Sequence, residues 1–75
     1  METVYVNLKG VEGVKSFVDT ISKIDGEFSL VDGKYIVDAK SIMGILSLDL
    51  SDSIRLDIDT KDEAVLQKLR PFVVA

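Results

Sequence analysis

The sequence predicts an open-faced α+β sandwich, a four-stranded sheet with three helices packed on one face, in the order β-α-β-β-α-β-α. Three observations predict it. Residues 3–8 and 54–59 alternate apolar and polar side chains, the period-two signature of a half-buried strand. Residues 11–24 change to helical spacing, with Val14, Phe17, Val18, Ile21 and Ile24 along one stripe. Between these lie two short β-rich runs split by Asp32-Gly33-Lys34, and Asp-Gly is a strong hairpin signal.

Taken in order, Val4, Val6 and Leu8 form the apolar face of the first strand, which Gly10 ends. The first helix carries Lys15, Asp19 and Ser22 on its polar side and is expected to stop near Asp25-Gly26, where Gly can take a left-handed conformation. Residues 27–31 and 35–38 make the hairpin. Residues 41–48 read as a short helix with Ser41 as its cap and Ile42, Met43, Ile45 and Leu46 around it. So apolar a helix is either mostly buried or leaves part of itself as an exposed patch. In the last strand Ile54, Leu56 and Ile58 point inward while Arg55, Asp57 and Asp59 point outward. One face of the sheet is therefore wet, and the sheet is antiparallel or mixed. Thr60 and Glu63 match a capping box for the third helix, Val65, Leu66 and Leu69 supply its buried stripe, and Pro71 ends it. Phe72-Val73-Val74 remains as an apolar tail, which together with an unpaired sheet edge is compatible with a monomer or a weak dimer.

Composition narrows function. Seventy-five residues suffice for one domain, taken as residues 1–75, and leave few apolar side chains to line a deep pocket. There is no cysteine, hence no disulfide, thiol nucleophile or thiolate metal site. There is no histidine, which removes the commonest proton-transfer group at neutral pH and the commonest metal ligand. An enzyme is not expected, nor is a cofactor. The net charge of −4 and pI near 4.6, with scattered Lys and Arg, argue against nucleic acid as a partner. No apolar run reaches the roughly 18 residues of a membrane span, and the start lacks a secretory pattern, so no membrane partner is expected and the cytoplasm is the default.

The element order and the segment Lys40-Ser41-Ile42-Met43-Gly44-Ile45-Leu46-Ser47-Leu48 resemble HPr, the small phosphocarrier of the bacterial sugar phosphotransferase system. The resemblance implies a fully antiparallel four-stranded sheet. The K-S-I-M-G stretch looks like the regulatory-serine region of HPr from low-GC Gram-positive bacteria. The family carries its active histidine at the N-terminus of the first helix, followed by Arg and Pro; here the place is held by Leu8-Lys9-Gly10-Val11-Glu12-Gly13. Phosphohistidine chemistry needs the imidazole, and Glu12 would repel a phosphoryl group. The pattern is similar to Crh-type proteins, which lack the histidine, keep the serine and act in carbon-catabolite signalling. That implies a regulatory or interaction protein whose partners are HPr kinase/phosphorylase and a protein such as a transcription regulator.

Ser41 is accordingly the phosphorylation candidate, and Ile42, Met43 and Leu46 the candidate partner-binding patch. Plainer readings stand beside these: Ser41 as nothing more than an N-cap, the apolar trio as core, and the whole chain as a constitutive scaffold without modification. The late carboxylates Asp49, Asp52, Asp57, Asp59 and Asp62 lack EF-hand spacing and read as a charged wet face, so no metal site is expected. Gly10-Val11-Glu12-Gly13 lacks the Lys and Ser/Thr of a phosphate-binding loop and reads as a strand-to-helix turn.

Overall fold

The computed structural model describes residues 2–74. Its elements are β1 (Glu2–Val6), α1 (Gly10–Ser22), β2 (Glu27–Asp32), β3 (Tyr35–Asp38), α2 (Ile42–Leu46), β4 (Ile54–Asp59) and α3 (Val65–Leu69). The order is the one the periodicities require. The strands form one sheet in the order β1-β4-β2-β3, and every neighbouring pair is antiparallel.

Alternation becomes two rows across this sheet. Val4, Leu56, Leu30 and Val37 align on the helix side, and Tyr5, Arg55, Val31 and Ile36 align on the open side. Against the first row pack Val14, Phe17, Val18 and Ile21 of α1, Ile45 of α2, and Val65 and Leu69 of α3, all buried in one core cluster. Each such side chain contributes about 1.5–3 kcal/mol by leaving water. Among the described residues, no helix is long and apolar enough to cross a membrane.

Four local expectations are corrected. The first concerns the end of α1, which stops at Ser22 rather than at Asp25-Gly26. Its last turn tightens through Lys23 N–H to Thr20 C=O and Ile24 N–H to Ile21 C=O, which carries Ile24 into the core. Gly26 serves a different need: at φ +139° it lets the chain pass against the backbone of Asp59 and Thr60. In the hairpin, only Gly33 takes positive φ (+60°), and Asp32 pairs with Tyr35. The loop is thus the two residues Gly33-Lys34, the φ pattern of a type II′ turn.

The third correction is the Thr60–Glu63 box, which does not cap α3. The Thr60 hydroxyl donates to the Asp25 carbonyl and accepts from Asp62 N–H, so it is already committed; the Asp62 carboxylate instead accepts from Ala64 N–H at 2.8 Å. Lastly, α3 is only five residues long, which leaves room for Val65 and Leu69 inside but turns Leu66 outward. The tail is not free either. Phe72 meets Phe17 edge-on at 5.4 Å, and Val73 bridges Val6 at the β1 edge.

Candidate functional site

The segment after β3 turns sharply before α2 begins. Asp38 holds that turn twice, its carbonyl accepting from Ser41 N–H at 3.0 Å and its carboxylate from Lys40 N–H at 2.9 Å. Ser41 then occupies the N-cap in extended conformation (φ −104°, ψ 108°), and its hydroxyl oxygen accepts from Gly44 N–H at 3.3 Å. This satisfies one of the N–H groups that the first turn leaves without a helical partner. The residue is exposed, and its hydroxyl keeps its own proton to give.

Helical spacing sorts the apolar residues that follow. Ile45 points into the core, while Ile42, Met43 and Leu46 lie three and four apart on the other side and form one patch. Met43 is 80% exposed, against 36% for Ile42 and 42% for Leu46. The four residues singled out from the sequence are therefore neighbours on one surface. Gly44 lets α2 sit close to the sheet, because a Cβ there would lie 3.3 Å from Val37 Cβ and 3.5 Å from Ser41 Oγ. The helix ends where the Ser47 hydroxyl turns back onto the Gly44 carbonyl at 2.6 Å.

Sequence reasoning missed the role of Lys40. Its ammonium reaches away from Ser41, donating to the Ile24 carbonyl at 2.7 Å and lying 5.3 Å from the Phe28 ring centroid. It tethers the serine turn to the end of α1 rather than presenting a free cation. Nothing in the sequence spacing announces this, since the partners are 16 and 12 positions away.

At the other position of interest, the start of α1, Gly10 has φ +69° with open space around it. The adjoining groove is lined by Lys9, Glu12, Ser16 and Phe72, a surface with one cation and one anion. The late carboxylates do not converge: no group of three or more metal-ligating side chains occurs among the described residues. Asp49, Asp57 and Asp62 have local partners instead. The Arg55 guanidinium, with help from the Thr3 hydroxyl, holds Asp57 below the usual carboxylate range, while Asp57 in turn raises Arg55. Lys68 and the Ala64 N–H do the same for Asp62, as do the hydroxyl and N–H of Ser51 for Asp49.

Ser41→Ala removes the cap acceptor, and the expected loss is about 1 kcal/mol of folding stability, read as a lowered urea midpoint with unchanged slope.

The order β-α-β-β-α-β-α, with one antiparallel four-stranded sheet and three helices, defines the class of small α+β sandwiches to which the HPr fold belongs. Residues 13–74 match the family PTS-HPr, described as the PTS HPr component phosphorylation site. The chain belongs to the HPr family, whose members are phosphocarriers and bind other proteins of the phosphotransferase system. Among solved structures it is similar to the crystal structure of HPr-C-His from Thermoanaerobacter tengcongensis, with a TM-score of 0.80 and 29% identity over 95% of this chain and 89% of that one. No curated protein matches it. The family match begins at Gly13, the last residue of the segment in which the resemblance places the family's histidine.

Proposed function

We propose that this chain is a non-catalytic, Crh-like regulatory member of the HPr family, acting in the cytoplasm in carbon-catabolite or sugar-transport signalling and switched by phosphorylation of Ser41. The observation that carries the reading is the juxtaposition of an exposed Ser41 hydroxyl with the exposed patch of Ile42, Met43 and Leu46. The phosphocarrier role is closed to it, because the chain contains no histidine to take the phosphoryl group.

A phosphoryl group on Ser41 would add about two negative charges beside an apolar surface, with Lys40 held elsewhere. A partner that reads the patch alone would be repelled, and one that brings its own arginine would be recruited. HPr kinase/phosphorylase is the enzyme expected to transfer the group, docking on the same three side chains. A constitutive scaffold would use the patch without modification.

The test compares wild type with Met43→Lys in ATP-dependent phosphorylation by HPr kinase/phosphorylase. Because Met43 is mostly exposed, the variant should fold with stability within about 0.5 kcal/mol of wild type. Its phosphorylation should be slower by about tenfold or more, the effect of placing a charge in a docking contact worth about 1.4 kcal/mol. Equal rates would remove the docking role of Met43.

A further inference from the structure

The two edges of the sheet are treated differently. At β1 the tail supplies a cover: Asn7 N–H donates to the Phe72 carbonyl at 2.9 Å, and Val74 N–H to the Tyr5 carbonyl at 2.8 Å. At β3, nothing among the described residues pairs with the outer side. Natural edge strands are blunted by charge, proline or bulges. Here β3 is short and ends in Asp38, but Tyr35-Ile36-Val37 carries no charge, proline or bulge, and Tyr35 and Ile36 are 69% and 71% exposed.

The hydrogen-bond phase of β3 is fixed by the hairpin. A two-residue loop makes Asp32 and Tyr35 a bonded pair, so Leu30 with Val37 is the next, and Ala39 N–H donating to the Phe28 carbonyl at 2.8 Å continues the series. Ile36 therefore aims both its N–H and its C=O at the open edge, and Asp38 aims its N–H there.

We infer that β3 is a homodimer edge, in which two copies pair antiparallel about a two-fold axis at Ile36 and join their sheets into one of eight strands. The strand's own charges select this register and this occupant. With Ile36 opposite its copy, Lys34 comes opposite Asp38 of the partner subunit, and the two-fold makes that pair twice. Tyr35 falls beside Val37 of the partner subunit on the helix side. The Ile36 pair exchanges two backbone hydrogen bonds, and each Asp38 N–H meets the Lys34 carbonyl of the other copy. On the open side, the Tyr5–Arg55–Val31–Ile36 row continues into its symmetry mate. A four-residue edge buries little area, so the dimer is a weak one, with a dissociation constant between about 10 µM and about 1 mM.

Sedimentation velocity of the full chain across that range tests it. Wild type should move from the monomer toward the dimer sedimentation coefficient as concentration rises. Ile36→Lys, at an exposed position, should stay monomeric throughout. Lys34→Glu and Asp38→Lys should each move the midpoint to about tenfold higher concentration, because both symmetry-related pairs turn repulsive at once. The double variant should return to within about threefold of wild type. Asp38 also accepts from Lys40 N–H, so circular dichroism accompanies its variants, and Lys34→Glu decides alone if Asp38→Lys unfolds. A wild type that remains monomeric overturns the inference, as does a dimer that Ile36→Lys leaves intact or a Lys34→Glu midpoint equal to wild type.

Discussion

Replacing Phe17 by alanine is expected to remove a large share of the chain's folding stability at 25 °C. Phe17 is fully buried on α1 and meets the Phe72 ring edge-on at 5.4 Å. Truncating such a side chain costs about 3–5 kcal/mol in lost transfer energy and residual cavity. A chain of this length has a total stability of only about 4–11 kcal/mol. The loss is larger than area alone implies, because Phe72 then lacks the surface that docks the tail onto β1. Urea denaturation followed by circular dichroism reads the effect. Wild-type-like stability would mean that Phe17 is not the point at which α1, the tail and the sheet meet.

Gly26→Ala is the second large effect, and it acts through the backbone. A Cβ at residue 26 would stand 2.5 Å from the Asp59 carbonyl oxygen and 2.8 Å from Thr60 Cβ, and its φ of +139° is one that side-chain-bearing residues rarely adopt. The obstructing atoms belong to the end of β4 and cannot retreat without disturbing the Glu27–Asp59 pairing. The expected cost is about 3 kcal/mol or more, the sum of backbone strain and steric displacement. Gly33→Ala is the matched control. Its φ is also positive, at +60°, but a Cβ there meets nothing within 4 Å, so its cost should stay near about 1–2 kcal/mol. Equal losses at the two glycines would show that close approach contributes nothing at Gly26.

These residues also mark where the sequence could be read and where it could not. The alternation of residues 54–59 and the stripe Val14, Phe17, Val18, Ile21 transfer directly to the structure, because each is a local period imposed by one buried face. Gly26 was legible as special, but its purpose was not. Its neighbours Asp59 and Thr60 are more than 30 positions away, and no local rule places them. Thr60 and Glu63 satisfied a capping pattern, yet a tertiary hydrogen bond to the Asp25 carbonyl took the hydroxyl first. Leu66 matched the helical stripe of α3, but a five-residue helix presents too narrow a face to bury it.

At the candidate site, Ser41 as N-cap followed from residue type and position. Ile42, Met43 and Leu46 were singled out as a patch from the resemblance, whereas the burial of Ile45 depends on which side of α2 meets the sheet, which the near-continuous apolar run does not show. Lys40 shows the same limit. Its ammonium is spent on the Ile24 carbonyl and the Phe28 ring, partners that no local spacing announces.

If Ser41 is a phosphorylation switch in an HPr-family chain that has no carrier histidine, the chain is itself a substrate of HPr kinase/phosphorylase. Intact-mass spectrometry with peptide mapping, after incubation with HPr kinase/phosphorylase and ATP beside an authentic HPr, tests it most directly. A single added phosphoryl group is expected, located on Ser41 and absent from Ser41→Ala. An unmodified chain beside a fully modified HPr, or a phosphate mapped to another residue, would contradict it.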